Sequence, residues 1–123
     1  MDKFQAAFEV LCILSMIDGE VHDKEIEVIN QFVHNNVGKS NFDTRAVFQS
    51  LAIMTPKGRV EELASVAVYI GNNCNSLEKR NILESALALI AADRVLKDEE
   101  VTAFVLLGNT WGIDIQAFMA QYK

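Results

Sequence analysis

The sequence predicts an all-α fold: a single compact bundle of about seven helices with a pseudo-twofold repeat of an acidic helix-turn-helix. Apolar residues recur at the three- and four-residue spacing of a helix along nearly the whole chain, and no run alternates with the period of a strand. Turn-forming residues interrupt these runs where helix ends are expected. Because the connections are short, the 123 residues are expected to form one domain, 1–123.

Each helix is bounded by a break in the apolar periodicity. The first helix ends at Asp18-Gly19, the third at Thr55-Pro56 and the sixth at Gly112, while polar runs at 35–41 and 71–76 end the second and fourth. The fifth helix ends where a second acidic turn begins. The predicted helices cover 2–17, 23–36, 43–53, 57–72, 77–92, 98–111 and 114–122.

Composition and charge restrict the classes of function. Hydrophobic residues make up 50% of the chain and charged residues 23%, which indicates a folded protein. The net charge of −6, with 11 scattered Lys and Arg, argues against nucleic-acid binding and favours cations or basic partners. The N-terminus has no basic signal-peptide segment, and the apolar stretch 8–17 is too short to span a bilayer. We therefore expect a cytoplasmic protein without a transmembrane segment.

Residues that commonly carry catalysis or zinc are sparse. Cys12 and Cys74 have no Cys or His at ligand spacing, so both are expected to be ordinary thiols. His22 and His34 are not at ligand spacing either, and a solvated or capping role is expected for each. Because the chain also lacks a Gly-rich phosphate loop and a nucleophile elbow, it is not expected to be an enzyme.

An internal repeat is the most informative feature of the sequence. Residues 18–26 align with residues 93–101 at an offset of 75, and the acids at three positions coincide, as do flanking apolar residues such as Leu14 with Leu89. Each copy reads as a helix, a tight acidic turn and a second helix. The copies span about 4–36 and 79–111 and predict a pseudo-twofold domain.

The two acidic turns hold eight of the chain's 17 acidic residues. Helix capping explains many of them: acids in the first turn suit the positive end of the helix dipole, and Glu25 and Glu100 fall at the third helical position, where a capping-box carboxylate acts. Asp18 and Asp93 do not fit this interpretation, because each ends a helix, where the dipole disfavours a carboxylate.

A divalent-cation site is the alternative interpretation of these acids. If the first helices of the two copies pack together, Asp18, Glu25, Asp93 and Glu100 could converge, and such a cluster needs protons, basic side chains or a metal to neutralise it. An oxygen-only ligand set favours Ca²⁺, Mg²⁺ or Mn²⁺ over zinc. The site is not an EF-hand, because the twelfth position counted from Asp18 is Ile29 and not a bidentate Glu.

At these residues the sequence resembles the TerB-like (tellurite-resistance protein B-like) domain family. The resemblance rests on Ile17-Asp18-Gly19-Glu20-Val21 with Glu25, echoed by Ala91-Ala92-Asp93 with Leu96 and Glu100, and in layout it covers nearly the full chain. It implies an all-helical bacterial domain encoded beside stress-response and tellurite-resistance proteins. It also implies divalent-metal binding through Asp18, Glu25, Asp93 and Glu100, and no known enzymatic activity.

The second copy departs from the family pattern, because Arg94-Val95 stands where Gly-Glu is expected. Arg94 can supply in cis the positive charge that a metal would bring. A metal-free protein-interaction or scaffold domain, whose acids cap helices or pair with Arg94, is therefore the second hypothesis. A carboxylate-based di-metal enzyme is a distant third, because the Glu-x-x-His pattern is missing.

Aromatic and apolar residues near the C-terminus have helical spacing. They are expected to seal the core, with an exposed patch for a protein partner as the alternative. The residues concerned are Trp111, Phe118, Met119 and Tyr122.

Overall fold

Seven α-helices occupy the part of the chain that the computed structural model describes, residues 2–17, 23–35, 42–91 and 98–120. They are α1 (Lys3–Met16), α2 (Asp23–Asn35), α3 (Thr44–Ala52), α4 (Pro56–Asn73), α5 (Ser76–Ala91), α6 (Asp98–Trp111) and α7 (Ile115–Ala120). These residues contain no strand, so the all-α prediction is confirmed. The described helix ends lie within about two residues of the predicted ones.

The first helix, α1, lies at the centre of the bundle. Every residue from Ala6 to Met16 is buried, because α2, α3, α4 and α5 all pack against it. A helix that is apolar on every side needs such an enclosed position. The apolar stretch 8–17, too short for a membrane span, is therefore the core of the fold. Among the described helices, none has the length and hydropathy needed to cross a bilayer.

Side-chain caps fix where several helices begin. Asp2, Asp43, Thr55 and Asp114 each accept a hydrogen bond from a backbone N–H three residues later, at 2.9 to 3.2 Å. Such caps satisfy one of the donors that the first turn of a helix leaves unpaired. Pro56 is at the first position of α4, where its missing N–H carries no penalty.

The end of α6 is a Schellman turn. Gly112 has a φ of 69°, the Ile113 N–H donates to the Gly108 carbonyl at 2.8 Å, and the Gly112 N–H donates to the Asn109 carbonyl at 3.4 Å. The turn reverses the chain, so that α7 packs back against α6. Ile115 of α7 consequently lies directly over Gly108.

The C-terminal aromatic residues lie in the core. Trp111 is buried, and its indole N–H donates to the Ala67 carbonyl of α4 at 2.8 Å. Phe118 is buried beside Phe104, with ring centroids 6.1 Å apart, and Met119 is half-buried against the same core. The core-sealing prediction therefore fits these three residues, and Tyr122 lies outside the described residues.

A capping box begins α5, a motif not singled out from the sequence. The Glu78 N–H donates to the Asn75 side chain at 2.8 Å, and the Asn75 N–H donates to the Glu78 carboxylate at 2.9 Å. The Asn75 N–H, together with Lys3, holds the pKa of Glu78 below its usual value. The resulting stabilisation is present above about pH 4.5 and is lost as the pH falls below that value.

We expect Asn75→Ala to lower the free energy of unfolding by about 1 kcal/mol, because it removes the cap of α5. Urea unfolding followed by far-UV circular dichroism measures this change. Asn72→Ala, at an exposed position of α4, is the control and should change stability by less than about 0.5 kcal/mol. Equal stability of the two variants would contradict the capping role.

The first helices of the two predicted copies, α1 and α5, pack against each other. At their N-terminal ends the Lys3 ammonium contacts the Glu78 carboxylate at 3.2 Å, a pair separated by 75 residues. The second helices, α2 and α6, both pack against α5. This arrangement provides the contact between first helices on which the predicted convergence of the acidic turns depends.

Candidate functional site

Two of the four predicted metal ligands, Glu25 and Glu100, are buried. Each is the third residue of its helix, α2 or α6, and each has a relative exposure of 3%. The Oε1 atom of Glu100 is completely enclosed. By contrast, Asp23 and Asp98, which begin the same two helices, are exposed. The structure therefore distinguishes one acid in each first turn from its solvated neighbours.

Burial of a carboxylate near a helix start has a defined cost. Removing an ionised carboxylate from water is unfavourable by several kcal/mol unless hydrogen bonds, a cation or a proton compensate. The positive end of the helix dipole contributes only about 0.3–1 kcal/mol. The exposed acids Asp23, Asp98 and Glu99 need no more than this dipole, as the capping interpretation predicts. Glu25 and Glu100 are buried, so their carboxylates need hydrogen bonds, a cation or a proton in addition to the dipole.

The other half of the predicted site lies outside the described residues. Asp18, Asp93 and Arg94 all belong to the undescribed segments 18–22 and 92–97, as does His22. Within the described ranges, no group of three or more His, Cys, Asp or Glu side chains could hold a metal ion. Glu25 and Glu100 have the hard oxygen donors that Ca²⁺, Mg²⁺ and Mn²⁺ prefer. The four-carboxylate site therefore stays a prediction that needs Asp18 and Asp93.

A third buried acid, Glu9, is on α1 and faces α4. Its relative exposure is 3%, its carboxylate accepts a hydrogen bond from the Gln5 amide at 3.3 Å, and the Glu62 carboxyl group lies close to it. Burial, followed by the contact with Glu62, raises the pKa of Glu9 to about 7. Glu9 is therefore protonated in the folded protein below neutral pH, which makes it a buried proton-binding group.

The surface has a wide groove between α2 and α5, which we call the α2–α5 groove. Its volume is about 810 Å³, within the range of ligand-binding clefts. The floor is apolar and the rim is polar, and the charged residues that line the groove are Lys3, Lys24, Glu27 and Glu78. The residues that line it are Lys3, Phe4, Ala7, Lys24, Glu27, Val28, Gln31, Phe32, Asn35, Cys74, Glu78, Asn81, Ile82, Ser85 and Ala88.

A smaller cavity of about 390 Å³, the α4–α6 cavity, is lined by residues of α1, α4 and α6. It is bounded by the end of α1, the first two turns of α4 and the first turns of α6. Arg59 of α4 lines it together with Asp98 and Glu99 of α6. An arginine and two acids thus share one largely apolar cavity.

The two cysteines are free thiols, as expected, and both are buried. Burial raises the pKa of each thiol, which keeps the thiols protonated and unreactive at neutral pH. His34 is exposed in the last turn of α2, in agreement with its predicted solvated role. None of these three residues belongs to the predicted cation site, although Cys74 lines the α2–α5 groove.

The comparisons with known proteins agree with this architecture. The family model described as tellurite resistance protein TerB matches residues 4–121. No curated protein and no solved structure gives a significant match to the chain. The family match spans all seven helices and both segments of the predicted repeat. The chain therefore belongs to the TerB family.

Proposed function

We propose that this chain is a non-enzymatic, cytoplasmic binding module that holds a divalent cation through its two acidic turns. The ligands are Asp18, Glu25, Asp93 and Glu100, and the ion is Ca²⁺, Mg²⁺ or Mn²⁺. The observation that carries the proposal is the matched burial of Glu25 and Glu100 at equal positions of two helices. Family membership supports it.

The packing of the helices supports a twofold relation between the turns. Leu14 of α1 and Leu89 of α5, which align at the offset of 75, are both buried, as are Ile29 of α2 and Phe104 of α6. Glu25 and Glu100 each lie four residues before one of these last two core residues, so each points to the same side of its helix. A twofold relation would bring Asp18 and Asp93 to equivalent positions as well.

The proposed site is not symmetric. The first turn has Gly19-Glu20 where the second has Arg94-Val95. An arginine beside Asp93 competes with a cation for that carboxylate. We therefore expect Asp18 and Glu25 to contribute more to cation affinity than Asp93 and Glu100.

Calorimetric titration of the metal-stripped protein with Ca²⁺, Mg²⁺, Mn²⁺ and Zn²⁺ tests the proposal. We expect a hard divalent ion to bind with a dissociation constant below about 1 mM. Glu25→Gln should weaken that binding at least about tenfold, because it removes one charge and one ligand oxygen. Glu100→Gln should have a smaller effect in the same direction.

Two neighbouring acids serve as matched controls. Glu27→Gln on α2 and Glu99→Gln on α6 also remove one charge each but change exposed residues, so affinity should change by less than about twofold. Binding no tighter than millimolar would refute the proposal. Affinity unchanged in the double variant Asp18→Asn with Asp93→Asn would refute it equally.

A metal-free protein-interaction domain is the second candidate function. The α2–α5 groove, with its apolar floor and polar rim, is the observation that favours it. In this alternative the acids cap helices or pair with Arg94. Titrations without any metal binding, together with a protein ligand for the groove, would establish it. A hydrolase screen with added Mn²⁺ tests the remaining enzymatic hypothesis, and we expect no activity.

A further inference from the structure

One wall of the α2–α5 groove and one wall of the α4–α6 cavity are equivalent in the predicted repeat. The first is formed by α2 and the second by α6, the second helices of the two copies. Each of four groove residues on α2 aligns, at the offset of 75, with a residue of α6 that lines the cavity. The aligned pairs are Lys24 with Glu99, Glu27 with Thr102, Val28 with Ala103, and Gln31 with Leu106. The same face of the second helix therefore lines a groove or a cavity in both copies.

In the second copy this face is covered by a helix. The helix α4 packs against both α1 and α6, and it leaves Ala103 with 4% exposure and Leu107 with 0%. The aligned residues of α2, Val28 and Phe32, are only half-buried. The apolar face of α2 is thus the more accessible of the two.

The opposite wall of the groove, on α5, shows the same difference. Asn81 and Ala88 line the groove and are exposed, and Ser85 is half-buried. The α1 residues that align with these three are all fully buried: Ala6, Val10 and Ile13. Because α4 packs on both α1 and α6, the pair of helices with the buried residues is again the pair that has a covering helix.

We propose that the α2–α5 groove binds an amphipathic helix of a partner protein, in the position that α4 takes between α1 and α6. The groove lies between the equivalent pair of helices, α2 and α5, over which the described residues provide no counterpart of α4. A helix laid into an apolar groove is a common mode of recognition. The inference rests on the alignment of the two copies and not on the proposed cation site.

The length of the groove sets the size of the bound helix. Its lining residues on α2 run from Lys24 to Asn35, which corresponds to about 16 Å of helix, or roughly three turns. The polar rim residues Asn81 and Ser85 indicate that the groove is in water when it is empty. This composition suits a reversible complex more than a permanent one.

The charge of the partner helix follows from the aligned pair Lys24 and Glu99. In the α4–α6 cavity, Glu99 is accompanied by Arg59 of α4. In the groove the equivalent residue is Lys24, of opposite charge. The partner helix should therefore have an acid where α4 has Arg59, next to an apolar stripe like that of Val60 and Leu63.

A peptide derived from α4 tests the proposal. The probe is a fluorescein-labelled peptide of residues 55–73 carrying Arg59→Glu, and the comparison peptide retains Arg59. A lactam bridge from Glu61 to a lysine introduced by Ser65→Lys keeps both helical, since both positions are exposed in α4. Fluorescence anisotropy with the full chain in EDTA measures binding independently of any cation.

We expect the Arg59→Glu peptide to bind the full chain about two- to fivefold more tightly than the Arg59 peptide, as expected for one exposed ion pair. In the Lys24→Glu chain this order should reverse. Ser85→Trp, which fills the groove, should weaken binding of both peptides at least about tenfold, whereas Ser65→Trp, at an exposed position outside the groove, should not.

Three results would overturn the inference. They are no saturable binding of either peptide up to about 1 mM protein, binding that Ser85→Trp leaves unchanged, and sedimentation of the chain as a dimer that Ser85→Trp dissociates. The last result would assign the groove to a second copy of this chain. Cation titrations of the same variants keep this test separate from that of the proposed metal site.

Discussion

Gly108→Ala is expected to lower the free energy of unfolding by about 2 kcal/mol. A Cβ atom at residue 108 would overlap Cγ1 and Cδ1 of Ile115 and would approach the Ile113 carbonyl oxygen to 3.0 Å. Ile115 is buried and cannot move freely. Overpacking of this kind costs about 1–3 kcal/mol, which exceeds the gain of up to about 1 kcal/mol in helix propensity. Urea unfolding followed by circular dichroism measures the difference.

Gly71→Ala is the matched control, because Gly71 is also within a helix. Its Cβ atom would meet Cδ1 of Trp111 at 3.4 Å, an ordinary contact, so the variant should be equally stable or up to about 1 kcal/mol more stable. Ile115→Ala should cost less in the Gly108→Ala protein than in the wild type, since it relieves the overlap. Additive effects of these two substitutions would contradict the close approach of α7 to α6.

Glu9→Gln is expected to stabilise the protein above pH 7 by about 2 kcal/mol. The pKa of Glu9 is raised from 4.5 to about 7 on folding, so the folded state binds the proton more tightly than the unfolded state. The stability due to the proton is complete below pH 4.5 and is lost as the pH rises through about 7. A shift of this size corresponds to about 3 kcal/mol at most. Gln retains the size of the side chain without its charge.

Unfolding by urea at pH 5 and at pH 8 tests this prediction. The wild type should be less stable at pH 8 by about 2 kcal/mol relative to Glu9→Gln, and the two should differ little at pH 5. The control is Glu84→Gln, which aligns with Glu9 at the offset of 75 but pairs with Arg80 at 3.5 Å on the surface of α5. Its stability should change by less than about 1 kcal/mol at either pH.

Helix ends were predictable because local chemistry determines them. Asp43, Thr55 and Asp114 each follow a break in the apolar periodicity, and each caps the helix that begins after it. The Asn75-x-x-Glu78 spacing gives the same kind of signal. The capping box is a local signal, since the motif depends only on residues three apart.

The burial of individual acids depended on contacts between helices and was harder to predict. Glu9 is one acid in an otherwise apolar segment, and its burial follows from the four helices that surround α1. The burial of Glu25 and Glu100 was easier to predict, because each lies one helical turn before a core residue. The distance between the two acidic turns is set by tertiary packing, so sequence periodicity could not supply it.

The ion pair between Lys3 and Glu78 bears on how a repeat of this kind can diverge. These residues are 75 positions apart, which is the offset that aligns the two predicted copies. If a twofold axis relates the copies, this ion pair lies beside that axis. In a symmetric pair of separate chains, one residue type would face itself there, as two ammonium groups or two carboxylates. A single chain that contains both copies is free of that repulsion, because each half can mutate without changing the other.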